Sequence, residues 1–236
     1  FCKKAKNKKI NIISFSFKKK ADVYLKKILK NNGHYKLTIN IKNKDYEFYS
    51  LYNFKNLIQN ILSTISIISL MNLDLSKIKK SFMKFSTPAG RGDISKINIY
   101  KKNIQLIDES YNANPLSMES AIDNLNKFKD KSKRKILILG DMLELGINSK
   151  KYHKLLSEKI NKTNISKVYV YGNYIKETYN NLIDKKKGEV LNKQKDIIKI
   201  FQNNINKNDI VMIKGSNATG LFKISQNLKK GKLNAI

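Results

Sequence analysis

The side chains best suited to chemistry lie in three polar clusters: Asp108-Glu109-Ser110-Tyr111-Asn112-Ala113-Asn114-Pro115, Gly140-Asp141-Met142-Leu143-Glu144-Leu145-Gly146, and Lys214-Gly215-Ser216. Carboxylates can exchange protons, and tyrosine and asparagine can hydrogen-bond a ligand. A lysine beside glycine and serine offers a point charge, close backbone approach and a hydroxyl. The triplet is not a Walker A loop, because the upstream glycine and the spacing are absent. Each cluster follows a short apolar run: Ile104-Gln105-Leu106-Ile107, Ile136-Leu137-Ile138-Leu139 and Ile210-Val211-Met212-Ile213. Such runs, closed by polar turns, read as buried strands of βαβ units, whose carboxyl ends open onto the ligand crevice. Val168-Tyr169-Val170-Tyr171, closed by Gly172, repeats the pattern. Asp108 to Asn114, Asp141, Gly172 and Lys214 to Ser216 are therefore expected along one edge of a sheet.

Helical periodicity supplies the crossovers. Met118, Ile122, Leu125 and Phe128 form an apolar stripe after Pro115, a residue suited to a first helical turn. Further helices are read around Tyr152 to Ile160, Tyr174 to Leu182, Ile197 to Ile205 and Leu221 to Leu228. His153, alone on its helix, reads as packing or surface rather than as a catalyst. Ile104 to Ile107 and Ile136 to Leu139 read as the two strands of one βαβ unit, and Ile97 to Tyr100 precedes them as a further strand.

The first ninety residues read differently. Ile10 to Phe15 suggests a short strand before the basic run Lys18-Lys19-Lys20, and Ala21 to Lys30 a helix-like or irregular segment. Tyr35 to Ile41 alternates apolar and polar, and Lys42 to Asp45 turns it into Tyr46 to Tyr49 as a hairpin. From Asn53 to Leu70 the residues Leu57, Ile58, Ile61, Leu62, Ile65 and Ile68 mark a helix with one buried face. Asn60 interrupts that face, either as a satisfied core amide, which the spacing favours, or as a ligand contact. A second helix is read from Leu73 to Phe85. Ser86-Thr87-Pro88-Ala89-Gly90-Arg91-Gly92-Asp93 then breaks periodicity, and divides the chain into residues 1–90 and 91–236. Arg91 sits on this hinge as a solvated side chain or as a bidentate partner for an anionic ligand.

Composition bounds the function classes. The chain has 236 residues, 41% hydrophobic, and a formal charge of +30 from 48 Lys and Arg against 18 Asp and Glu. Such charge can signal nucleic-acid binding. However, the basic residues are nearly all lysine, spread along the chain, without zinc-finger spacing, an RNP-like pattern or a basic-region heptad. Compositional drift is the better reading, and no nucleic-acid partner is expected; attraction of anionic ligands, nucleotides included, is. No run of eighteen apolar residues suggests a membrane span. The lone cysteine, Cys2, reads as a free thiol in a reducing cytoplasm. The opening Phe1-Cys2-Lys3-Lys4, without an initiator Met or a signal-peptide core, suggests a sequence that starts inside a longer protein.

The first two clusters, in this order and spacing, resemble the Mur ligase family, and within it the branch that joins D-alanyl-D-alanine to UDP-N-acetylmuramoyl-tripeptide. The resemblance implies an α/β fold: a Rossmann-like carboxyl-terminal domain with a mostly parallel sheet over residues 91–236. Residues 1–90 would be the tail of the central ATP-binding domain. It implies a cytoplasmic, monomeric ATP- and Mg2+-dependent ligase of peptidoglycan precursor synthesis. ATP would phosphorylate the peptide carboxylate with release of ADP, and the dipeptide amine would attack the acyl phosphate and expel phosphate. Carried over by motif, Asn60 matches an asparagine near the adenine, and Arg91 the hinge arginine that reaches ATP phosphates. Asp108, Glu109, Tyr111, Asn112 and Asn114 match the motif facing the nucleotide, with Asp108, Glu109 and Asp141 as catalytic candidates. Glu144 belongs to the Asp141 motif, and Lys214, Gly215 and Ser216 match the turn beside the incoming dipeptide.

Other family features are expected upstream: the Gly-Lys-Thr phosphate loop, the Mg2+ ligands, the modified lysine and the UDP-binding domain. Phe54-Lys55-Asn56-Leu57 stands where the family has Gly-Arg-His-Asn. The isolated 236 residues are therefore expected not to ligate. The competing readings are a noncatalytic Rossmann-like module that binds an anionic small molecule, and a lysine-rich nucleic-acid-binding protein.

Overall fold

A computed structural model describes residues 8, 10–85, 88–128 and 133–232. The readings placed on Cys2, Ser86 and Thr87 lie outside them. The chain divides into two compact units, Phe1–Ser86 and Thr87–Ile236.

In the first unit, β1 (Phe15–Ser16), β2 (Val23–Asn31), β3 (His34–Ile41) and β4 (Lys44–Ser50) form a sheet in sequence order. The β3–β4 turn places Lys42 and Asn43 at φ 46° and 68°, the mirror-image geometry that matches the twist of a tight hairpin. Helix α1 (Lys55–Leu70) buries Ile58, Ile61, Leu62 and Ile65 against Val23, Leu37, Ile39 and Phe48. Several expectations are corrected here. The segment read as helix-like or irregular is β2, whose alternation is broken by an irregularity between Leu25 and Lys27. That irregularity sets two lysines side by side and hides the two-residue period. The strand expected from Ile10 shrinks to β1, and Asp22 instead organises this stretch by accepting the Ser14 N–H and O–H at 2.8 and 2.6 Å. Asn60 is exposed, not a core amide, because it lies off the Ile58-Ile61-Leu62-Ile65 stripe. The second helix is reduced to short 3-10 turns at Leu75–Ile78 and Ser81–Met83, with Leu75 the buried residue.

The second unit is built on a six-stranded sheet in the order β5-β6-β10-β7-β8-β9. Its strands are β5 (Asp93–Ile99), β6 (Lys102–Glu109), β7 (Lys135–Gly140), β8 (Lys167–Tyr171), β9 (Lys187–Leu191) and β10 (Ile210–Lys214). Strand β5 is antiparallel to β6, and every other pairing is parallel. The βαβ unit read from β6 and β7 proves not to join neighbours: β10, last in sequence, occupies the slot between them. Strand β9 was not expected; as Lys-Gly-Glu-Val-Leu on the sheet's edge, it carries little apolar signal.

The unbroken apolar runs of β7 and β10 follow from burial on both sides. Leu137, Leu139, Ile210 and Met212 face α2 (Pro115–Asn126) and α3 (Ser149–Asn161). Ile136, Ile138, Val211 and Ile213 face α5 (Gln194–Asn203) and α6 (Leu221–Lys229). Helix α4 (Lys176–Asn180) is shorter than the Tyr174 to Leu182 expected. Three lysines turn inward to carbonyls at or just beyond helix ends, where cations are favoured. Lys135 donates to Asn126 and Phe128 beyond α2, Lys186 to Ile160 and Thr163 at α3, and Lys102 to Phe201, Gln202 and Ile205 at α5. Part of the lysine content is thus structural.

Candidate functional site

Strand pairing brings the clusters together. Lys214, the last residue of β10, pairs in register with Glu109 of β6 and with Leu139 of β7. The turns after these strands must then share the carboxyl edge of the sheet, and they form two adjoining stations.

At the first, Lys214 is only 2% exposed, and its Nζ lies 3.5 Å from the Glu109 carboxylate and 3.1 Å from the Asn112 carbonyl. Burial pushes the Lys214 ammonium down from its ordinary range and the Glu109 carboxyl up; their mutual attraction opposes both shifts. The Lys214 charge is thus spent inside the turn rather than offered to solvent. Tyr111 is exposed and held on two sides. The Phe222 ring meets it edge-on with centroids 5.4 Å apart, and the Arg91 guanidinium lies 4.6 Å from its centroid. Gly90, at φ +76°, permits this packing, since a Cβ there would come within 2.9 Å of Phe222 and Tyr111 atoms. The Asn112 side chain accepts the Ala113 N–H, and Asn114 caps α2 by accepting the Ser117 N–H at 2.8 Å. Asp108 is fully buried and takes bonds from Ser110, Gln226 and Lys229.

At the second station, the Asp141 carboxylate accepts the N–H groups of Asn173 and Ile175 at 3.0 and 2.7 Å, which fastens the turn after β8 to the turn after β7. Gly172 is required there: its φ is +137°, and a Cβ would lie 2.5 Å from that carboxylate. The Asp141 carbonyl accepts the Ser216 N–H, and the Ser216 hydroxyl accepts the Leu143 N–H, each at 3.0 Å. Glu144 is exposed at φ 62°. Fully buried His153 takes the Met142 N–H on Nε2 at 2.9 Å and donates from Nδ1 to the Ser149 carbonyl at 2.7 Å. Burial lowers its pKa, in keeping with a neutral ring that braces this turn. Beside it opens a cleft of about 320 Å3, lined by Asp141, Gly172, Asn173, Lys176, Asn192 and Thr219 among others. Lys176 is the one cation among its lining residues.

Tyr111, Asp141 and Ser216 thus belong to one edge, with Lys214 and Gly215 joining the stations. Asn60 belongs to the other unit. Sequence reasoning missed Asn173, Lys176, Asn192 and Thr219. Gly172, already read as a strand end, was the available signal for the first two; Asn192 follows the unrecognised β9. The described carboxylates of the second unit do not fit a Mg2+ seat. Lys229 engages Asp93 and Asp108, and backbone amides engage Asp141; no metal-holding cluster of three or more His, Cys, Asp or Glu occurs among the described residues. Arg91 over Tyr111, by contrast, has the chemistry to meet a nucleotide's phosphates.

A mostly parallel α/β sheet with polar turns gathered at its carboxyl edge defines a Rossmann-like domain. Residues 95–217 match the family described as Mur ligase, glutamate ligase domain, and the chain belongs to the Mur ligase family. It is 32% identical over 222 residues to the UDP-N-acetylmuramoyl-tripeptide--D-alanyl-D-alanine ligase of Buchnera aphidicola subsp. Baizongia pistaciae, covering 93% of this chain and 46% of the relative. The enzyme of the same name from Rickettsia prowazekii is 32% identical over 216 residues, covering 91% and 46%. Among solved structures, MurF from Thermotoga maritima in complex with ADP superposes with a TM-score of 0.71 at 19% identity, covering 99% of this chain and 52% of that one. MurF from Acinetobacter baumannii does so with 0.74 at 20%, covering 94% and 48%. The chain spans about half the length of the curated relatives it matches. No helix among the described residues is long and apolar enough to cross a membrane.

Proposed function

We propose that this chain is part of an ATP-dependent ligase that joins D-alanyl-D-alanine to UDP-N-acetylmuramoyl-tripeptide in cytoplasmic peptidoglycan precursor synthesis. Residues 1–90 are the tail of its central ATP-binding domain, and residues 91–236 its carboxyl-terminal domain. The observation that carries this reading is the meeting of the Asp108–Pro115, Gly140–Gly146 and Lys214–Ser216 turns on one sheet edge, in a chain 32% identical over most of its length to ligases of that name. ATP supplies the phosphoryl group that makes the peptide carboxylate a competent electrophile.

The chain's own residues then have distinct tasks. Arg91, held over Tyr111, meets the phosphates, and Asn60 of the first unit lies near the adenine. The Glu109–Lys214 pair fixes the turn that presents Tyr111 and Asn112. Asp141 and Ser216 hold the two turns that wall the cleft, and the cleft receives the dipeptide. Lys176 attracts its carboxylate, while the Ser216 hydroxyl, which accepts from Leu143, keeps its own hydrogen to donate. Asp108 and Asp141 act by positioning, since their oxygens are already engaged. Mg2+ ligands lie outside this chain, and the enzyme works as a monomer.

The test is ADP release by a polypeptide that extends this chain upstream to the relatives' length. Release that needs both the UDP-tripeptide and D-alanyl-D-alanine is expected, with none from the 236 residues alone. Turnover by the short chain, or release by the long one without the dipeptide, would overturn the proposal.

A further inference from the structure

Phe222, Gln226 and Lys229 recur at i, i+4 and i+7 and so share one side of α6, while Leu221, Ile224 and Leu228 bury into the sheet. The shared side grips the segment that carries Arg91. Lys229 Nζ bridges the carboxylates of Asp93 and Asp108, the latter at 2.6 Å. These two acids are direct cross-strand partners in the β5–β6 pair, where like charges repel unless a cation lies between them. Gln226 adds a bond to Asp108 at 2.9 Å. The other oxygen of Asp93 accepts the Gly90 N–H at 2.9 Å, and the Gly92 N–H donates to the Asp108 carbonyl at 2.7 Å. The Phe222 ring packs where a Gly90 side chain would stand. Both flanks of Arg91 are therefore tied to residues whose carboxylates Lys229 holds, Gly90 through the Asp93 side chain and Gly92 through the Asp108 backbone.

We propose that Lys229 is a positioning residue for Arg91: through Asp93 and Asp108 it fixes the Gly90–Asp93 turn, and so keeps the Arg91 guanidinium over the Tyr111 ring. What Arg91 does once positioned rests on the nucleotide reading above; the positioning itself does not.

Amide hydrogen exchange on the 236-residue chain tests it. In Lys229→Met, the amides of Gly90, Gly92 and Tyr111 are expected to exchange about tenfold faster, the scale of losing a charge-assisted contact, while those of Leu137 to Leu139 and Val211 to Ile213 keep their rates. Lys229→Arg should restore slow exchange. Unchanged rates at Gly90 and Gly92, or acceleration equal in the turn and the central strands, would overturn the proposal. If Lys229→Met does not fold, Gln226→Ala carries the same comparison, with an expected change of roughly threefold. In the longer ligase, Lys229→Met should raise the KM for ATP and leave kcat largely intact, as Arg91→Ala should. If Arg91→Ala leaves that KM unchanged, the nucleotide reading fails, while the exchange rates still judge the positioning.

Discussion

Lys214 Nζ lies 3.5 Å from the Glu109 carboxylate across a register pair of β10 and β6, with the lysine 2% and the glutamate 24% exposed. The two partners are not equivalent. Lys214 also serves the Asn112 carbonyl, whereas Glu109 has solvent on one side and a carboxyl that burial raises toward neutrality. Lys214→Met should cost about 2 kcal/mol, because it takes the shared donor from the part-buried Glu109 carboxylate and Asn112 carbonyl, and Glu109→Gln less than about 1 kcal/mol. Urea unfolding of both variants checks the asymmetry; a larger loss for Glu109→Gln would contradict it.

His153 makes the second unit sensitive to acid. Burial lowers its pKa below 6.5, so between that value and the folded pKa the unfolded chain holds more protons than the folded one. Stability should then fall as pH drops through this window, because a protonated Nε2 would oppose the Met142 N–H. In His153→Gln the slope should flatten. Thermal midpoints from pH 7.5 down to about 5 measure it, a range set by the ordinary titration of histidine.

Gly90 and Gly33 share nearly the same backbone, φ +76° and +78°, but not the same surroundings. Alanine at Gly33 meets open space and should cost about 1 kcal/mol of conformational strain. At Gly90 it also collides with Phe222 and Tyr111, and about 3 kcal/mol is expected. Equal losses in denaturant would show that the Phe222 contact carries no weight.

Lys186 is 3% exposed and closes the end of α3, and burial lowers its pKa. Lys186→Met keeps the aliphatic stem but takes the lysine donor from the Thr163 carbonyl, while the Ile160 carbonyl keeps the Thr163 N–H and hydroxyl, so a loss of about 1 kcal/mol is expected. Lys207→Met, at an exposed position, should change stability by less than about 0.5 kcal/mol. The difference in calorimetric midpoint between the two variants reads the capping role directly.

For the cleft, Lys176→Met in the longer ligase should raise the KM for D-alanyl-D-alanine about tenfold and leave the KM for ATP unchanged. A matched rise in both would place Lys176 outside the dipeptide seat.

Residue order alone reveals the strands buried on both faces, β6, β7, β8 and β10, and the polar turns after them. Their apolar runs and abrupt polar ends record burial in the order of residue types. Helix α1 was equally legible from its stripe. Those signals do not encode that β10 enters between β6 and β7, that β2 and β9 are strands, or that Asn60 points away from its core; folding settles these. Strand order depends on contacts between residues distant in the chain, and edge or irregular strands bury too little to leave a period. The same holds for charge. Composition counted lysines without distinguishing Lys214, Lys229 and the helix-capping Lys102, Lys135 and Lys186 from those on the surface. A lysine's partner is chosen by the fold, because the carbonyls and carboxylates it meets become neighbours only when the sheet closes.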